Sequence, residues 1–315
     1  MLAFYTKTLR LKLVYFTIPA LIVALLLLVG ASAKAQQKQS LINYAQFADN
    51  IVPFNPAYSL LDKSASINSL LGRQFTQIQS GAPTYFLMNL DVPIESIGSN
   101  TGIIIKNNSI GPETLTEINA YFAKSIQLTG KDFLAVSLNA GFRKYVFQDP
   151  DPTDPEFTDV RQTNPNVGFG VMLYSDTYYL GISAPELTIK TLGGGTTQTQ
   201  ADLGNHYYIT GAILAPMDED FTFKPAALVA YGQSSSVVAA VSGTLYIKSI
   251  IGIGAGYRSD KQISAILSYT VDSFRLGYSY QVGTSSNDFS GINTATHEVT
   301  ISYRFGKGTL NPKLL

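Results

Sequence analysis

The sequence predicts an all-β protein: a transmembrane, antiparallel, up-and-down β-barrel of about fourteen strands, with a short N-terminal segment that is not part of the barrel. Three observations predict it. Apolar and polar residues alternate with period two in runs of about nine residues, the length a tilted strand needs to cross a hydrocarbon layer. Aromatic residues stand near the ends of the apolar faces of those runs. The 315 residues are only 14% charged and include 26 Gly and 19 Tyr, which suits a chain whose outer surface meets lipid and whose inner surface is small and polar. The formal net charge of zero argues against nucleic acid, whose phosphates need a basic face. With no Cys there is no disulfide framework and no thiolate site, and the two His cannot by themselves build a metal centre, so no cofactor is expected.

At the start of the chain, Lys7, Arg10 and Lys12 precede an apolar run from Leu13 to Gly30, and Ala33, Lys34 and Ala35 place small residues where a signal peptidase reads. Residues 1–35 are therefore expected to be a signal peptide cleaved before Gln36. The alternative, a retained anchor, also leaves the remainder exported, and the expected location is the outer membrane. In residues 36–62, Pro53 and Pro56 exclude a regular strand or helix interior. The aromatics Tyr44, Phe47, Phe54 and Tyr58 suit an ordered segment that packs against the barrel or partly plugs it, or that lies on the periplasmic side.

The barrel is expected over 63–306, with a tail at 307–315. Its clearest strands are the last three. Ile263 to Val271 sets Ile263, Ala265, Leu267, Tyr269 and Val271 on one face, and Phe274 to Val282 sets Phe274, Leu276, Tyr278, Tyr280 and Val282 against Arg275, Gly277, Ser279 and Gln281. His297 to Phe305 opposes Val299, Ile301, Tyr303 and Phe305 to Glu298, Thr300, Ser302 and Arg304. Earlier strands are expected at 65–73, 85–92, 102–107, 115–128, 133–147, 166–174, 178–187, 206–214, 222–231, 237–246 and 250–257. The even connections are short (129–131, 175–177, 248–249, 272–273), and long ones (148–165, 186–205, 283–296) fall on the odd positions. That asymmetry distinguishes a membrane barrel, with periplasmic turns and external loops, from a soluble sandwich.

Motifs that could carry chemistry are few. Asp149, Asp151, Asp154, Glu156 and Asp159 could offer oxygen ligands to Ca²⁺, but the loop has three prolines and lacks the sharp-turn Gly of an EF-hand, so a solvated acidic loop is the preferred reading. The Gly, Thr and Gln-rich tract 192–205 reads as an external loop. Gly252 to Arg258 (GIGAGYR) lies in a strand pattern and opens no helix, so its glycines are expected to make room inside the barrel rather than cradle phosphate. The segment around Ser183 lacks the second Gly of a nucleophile elbow. Inward-facing Arg143, Arg275 and Arg304 are expected to pair with Glu117 and Glu298. No enzyme site is expected.

The chain resembles the PorP/SprF family of outer-membrane proteins of Bacteroidota. The resemblance is carried by FNPAY at 54–58, RQF at 73–75, GAPT at 81–84, IGP at 110–112 and DPEF at 154–157. NPNVGFGVMLYSDTYYLGISAPEL at 164–187, HYY at 206–208 and FKPAALV at 223–229 continue it. Two features depart from the pattern: Phe75 stands where the family often has Trp, and GKGTLNPKLL follows Phe305, the aromatic that would end the last strand as an assembly signal. The resemblance implies a non-enzymatic component of the type IX secretion and gliding machinery. Such a protein would help export or retain a surface protein bearing a C-terminal sorting domain, beside the translocon and the periplasmic motor-ring proteins. Partner contact is expected at the FNPAY segment (Phe54, Asn55, Pro56, Tyr58) and an external loop (Asp154, Phe157). The same barrel physics would permit a porin or an uptake channel for hydrophobic substrates.

Overall fold

A computed structural model describes residues 44–74, 81–148, 159–189, 203–232, 237–283 and 295–305. The expected signal peptide, Phe75, Asp154, Phe157 and most of the acidic loop, most of the 192–205 tract and the C-terminal tail lie outside the described residues. Two short 3₁₀ turns, Phe47–Asp49 and Pro56–Leu61, come first. The strands follow as β1 (Ala65–Gln74), β2 (Thr84–Ile94), β3 (Ser99–Ile110), β4 (Glu113–Thr129), β5 (Asp132–Phe147), β6 (Val160–Tyr174), β7 (Tyr178–Thr188) and β8 (His206–Ile213). They continue as β9 (Ala215–Pro216), β10 (Phe221–Gly232), β11 (Val238–Ile247), β12 (Ile251–Arg258), β13 (Gln262–Val271), β14 (Phe274–Gly283) and β15 (Thr296–Phe305).

Chain neighbours pair antiparallel, and β1 closes the ring on β15 from Ala65 opposite Phe305 to Gln74 opposite Thr296. β9 adds no wall position of its own. Ala212 faces Ala226 and Pro216 faces Thr222 at one constant offset, so β8 and β9 are a single strand interrupted at Leu214. The wall is thus a closed fourteen-strand antiparallel barrel. Closure gives every strand of the described wall a paired neighbour on both sides, the condition a sheet must meet to sit in lipid.

Period-two alternation decides which face meets lipid. In β5, Val136, Leu138 and Phe142 are exposed while Ala135, Ser137, Asn139 and Arg143 are buried; in β14, Phe274, Leu276, Tyr278 and Tyr280 face out and Arg275, Ser279 and Gln281 face in. The outward aromatics pair at the strand ends, with the Phe274 and Tyr303 rings 4.5 Å apart and Tyr207 stacked on Tyr231 at 6.0 Å. The connections at 95–98, 130–131, 175–177, 248–250 and 272–273 are short and share one end of the barrel; the strand ends that flank 75–83, 148–159, 189–205 and 284–295 meet at the other, together with the short connections 111–112 and 259–261. Tight hairpins at the short end place Lys248, Ser249 and Asp272 at positive φ (51°, 60° and 49°).

β6 begins at Val160 rather than at Asn166, and Pro165 lies inside it. Pro165 accepts a bond from the Ile189 amide on its β7 side, and the β6–β7 ladder stops at Asn166 opposite Thr188. Its missing N–H therefore falls where the ladder has run out, a place where a strand tolerates proline. The glycines of β12 sit against inward side chains: a Cβ at Gly252 would meet Ser268 Oγ at 2.4 Å, and one at Gly256 would meet Ser264 Oγ at 2.6 Å.

Candidate functional site in the barrel lumen

The segment 44–62 lies against inward-facing side chains of strands around the ring. Tyr44, Phe47, Ile51, Val52, Phe54, Ala57 and Tyr58 are all buried, as are the polar Gln46, Asn50, Asn55 and Ser59. Its local shape follows from Asn55-Pro56. The residue before a proline is driven to extended backbone, and Asn55 adopts φ −143°, ψ 100°. Its side-chain oxygen then accepts from the Ala57 amide at 3.2 Å, capping the turn that Pro56 opens.

The same carboxamide locks into the wall. Both of its N–H groups are spent, on the Val171 carbonyl (3.2 Å) and the Ile182 carbonyl (3.4 Å), and Ser183 Oγ donates to the Phe54 carbonyl at 2.7 Å. Gly170 and Gly181 make the slot, because a Cβ at the first would lie 2.1 Å from Asn55 Oδ1 and at the second 2.6 Å from Asn55 Nδ2. Tyr58 meets Tyr179 edge to face at 5.0 Å, and Phe54 meets Tyr208 at 5.0 Å.

Across the lumen the grip is ionic. Asp49 pairs with Arg275 at 2.7 Å and Lys224 at 3.7 Å, and Tyr246 donates to it at 2.9 Å; Lys224 also donates to the Ala48 carbonyl at 2.8 Å. Burial would raise the Asp49 carboxyl, but the charges of Arg275 and Lys224 outweigh it and hold the group below its ordinary value. Glu298, fully buried, accepts from the Ala45 amide (2.8 Å), the Gln46 amide (3.4 Å), Ser279 Oγ (2.6 Å) and Tyr85. Arg304 holds Asp62 at 2.8 Å, and Asn50 donates to Asn89 at 2.9 Å.

At the loop end of the lumen a partly open cavity of about 520 Å³, solvent at its mouth included, is lined by Tyr44, Tyr85, Lys106, Glu117, Arg143, Glu186, His206 and Tyr208. Arg143 donates to Glu117 at 2.5 Å, Lys106 pairs with Glu186, and His206 Nδ1 stands 2.9 Å from Glu186. Glu186 reaches this cluster through a β-bulge: Val167 faces Leu187 but Phe169 faces Ala184, so β7 carries one extra residue that re-aims Glu186 inward. Gly168 permits the bulge, since a Cβ there would lie 2.4 Å from the Pro185 carbonyl oxygen.

The expected pairing of Arg143 with Glu117 is present. That of Arg275 and Arg304 with Glu298 is not, because both guanidinium groups are taken by the segment's Asp49 and Asp62, and Glu298 is filled by backbone amides and hydroxyls. The expected contact residues Phe54, Asn55, Pro56 and Tyr58 come together, but buried between segment and wall rather than on an accessible surface. Sequence reasoning missed Asp49, Lys224 and Lys106. The signal was legible for Lys224, a charge at an inward position of the β10 alternation, and for Asp49, an acid in a nearly uncharged segment. Glu186 gave no such signal, because it was read as the start of a loop.

The family model described as type IX secretion system membrane protein PorP/SprF matches residues 36–303. The chain belongs to the PorP/SprF family. That membership and the barrel make it a type IX secretion membrane protein of the outer membrane, of a kind that is not enzymatic. No curated protein matches. Among solved structures, the chain is similar to the toluene transporter TodX of Pseudomonas putida, at 10% identity over 84% of this chain and 94% of that one, with a TM-score of 0.47. It is also similar to the outer membrane protein Omp33 of Acinetobacter baumannii, at 8% identity over 78% and 99% of the two chains, with a TM-score of 0.43. Neither likeness bears on what this PorP/SprF protein binds.

Proposed function

We propose that this PorP/SprF protein acts without catalysis to export or retain a partner surface protein carrying a C-terminal sorting domain, working beside the type IX translocon and the periplasmic motor ring in secretion or gliding. Cleavage near Ala35 and Gln36 delivers the mature chain, and 44–62 acts as its lumenal plug. The observation that supports a partner-binding role over an open channel is the segment itself, gripped from both sides of the lumen by Asn55 and Asp49. Partner contact is proposed at Asp154 and Phe157. Contact at Phe54, Asn55, Pro56 and Tyr58 requires the segment to leave its slot, since all four are buried in it.

The test is a detergent pull-down of the tagged mature chain from its native outer membrane, read by mass spectrometry. Co-recovery of a large surface protein or of translocon and motor-ring subunits is expected. A bare barrel that conducts ions steadily in a planar bilayer would overturn the proposal in favour of a transport pore.

A further inference from the structure

The wall reads the segment partly through its backbone. Ser183 donates to the Phe54 carbonyl, Asn100 to the Ser59 carbonyl and Lys224 to the Ala48 carbonyl, while Glu298 accepts from the Ala45 and Gln46 amides. Contacts of that kind are indifferent to side-chain identity. Side-chain selection falls on the Asn55 slot, the aromatic seats of Phe54 and Tyr58 and the cations around Asp49, with Gln46, Asn50 and Asp62 held by Thr300, Asn89 and Arg304.

A second observation is independent of these contacts. Among the described residues, the inward wall groups Ser137 Oγ, Tyr179 Oη, Thr210 Oγ1, Thr222 Oγ1, Ser242 Oγ and Thr296 Oγ1 are buried without a hydrogen-bond partner, each on a residue no more than 7% exposed. Buried polar groups are normally paired, and leaving one unpaired is unfavourable. The segment therefore leaves polar capacity in the wall unused.

We infer that the lumen is a peptide-binding tunnel for which 44–62 is an exchangeable occupant in cis, and that its ligand in trans is a turn-forming peptide carrying an aromatic-Asn-Pro core with an acidic residue several positions before it. The inference concerns the barrel alone and does not depend on which cargo the secretion system carries. Its failure is thus distinguishable from failure of the secretion-partner proposal.

The experiment measures binding of a fluorescent synthetic peptide of residues 44–62 to the purified full-length protein in detergent. Asp49→Asn in the protein weakens the cis segment and leaves the wall intact, so the wild-type peptide is expected to bind that variant at least tenfold more tightly than it binds the unaltered protein. Asn55→Ala in the peptide is expected to weaken binding at least tenfold. Because the chain has no Cys, Asn50→Cys with Asn89→Cys, in place of two carboxamides that meet tip to tip at 2.9 Å, lets a short dithiol tie the segment to β2 through two disulfides on oxidation. The oxidised variant should exclude the peptide, and reduction should restore binding. Equal binding to the oxidised and reduced forms would overturn the inference, as would no binding to an Asp49→Asn barrel that keeps its compact, heat-modifiable migration.

Discussion

The two sides of the lumen hold the same segment by different means. Between β5 and β8 the grip is neutral and depends on shape: a glycine-lined slot for Asn55, a hydroxyl on a carbonyl, and two tyrosines edge to face. Between β10 and β15 it depends on charge, with Lys224 and Arg275 on Asp49 and Arg304 on Asp62. The ionic side can be weakened by pH or by removing one charge, whereas the shape side responds only to changes in volume. The chain has no Trp, so Phe54→Trp gives a single fluorophore that reports whether the segment is seated.

The largest effect is expected on the ionic side. Arg275→Ala leaves the Asp49 carboxylate buried beside Lys224 alone, and breaking a buried pair in this way costs about 3–5 kcal/mol. The reporter should shift to the red, and protease should cut within 44–62 while the barrel still migrates as a folded species. Next comes Gly170→Ala. Its Cβ would stand 2.1 Å from Asn55 Oδ1, and overpacking of this kind costs about 1–3 kcal/mol. The same change at Gly256 meets Ser264 Oγ, which can rotate away, and the Val241 carbonyl oxygen at 3.3 Å, but no atom of the segment, so the reporter should move for the first substitution and not for the second.

Acidification should separate the two sides without a mutation. The folded Asp49 carboxyl is held below its ordinary value, so its contribution is fully present above the unfolded value of about 3.9 and is lost as pH falls through the lower folded value. The Phe54→Trp signal should hold from pH 7 to about 4 and begin to shift below that. In Asp49→Asn this acid transition should disappear; a transition that persists would put the sensitivity on another group. The smallest effect is expected from Ser183→Ala, which removes one bond to the Phe54 carbonyl and should lower segment protection by about 0.5–1.5 kcal/mol, measured by proteolysis rate.

The contrast between the two sides is also a contrast in what could be read in advance. On β13 to β15 the alternation stated both the strand and its facing, because a period of two puts every second residue in lipid, and Leu276 cannot exchange places with Arg275 without inverting the whole strand. Arg275 and Arg304 were legible as lumenal charges, yet their partners were not, since Asp49 and Asp62 are remote in sequence and arrive only when the segment enters the ring. On β6 and β7 the reading was poorer. Pro165 concealed the start of β6, and the bulge at Pro185 broke the period that would have placed Glu186.

By itself, then, the sequence determined a membrane barrel with its lipid face and lumen face assigned, about fourteen strands with most short turns at one end, and a resemblance to the family. Those are consequences of local periodicity and turn chemistry, which a short window of residues contains. Only the tertiary structure decided that Asn55 sits between Gly170 and Gly181, that Asp49 joins Arg275 to Lys224, and that Glu186 turns inward. Each of these depends on the distance between residues scores of positions apart, which ring closure and one inserted residue set and which no local pattern encodes.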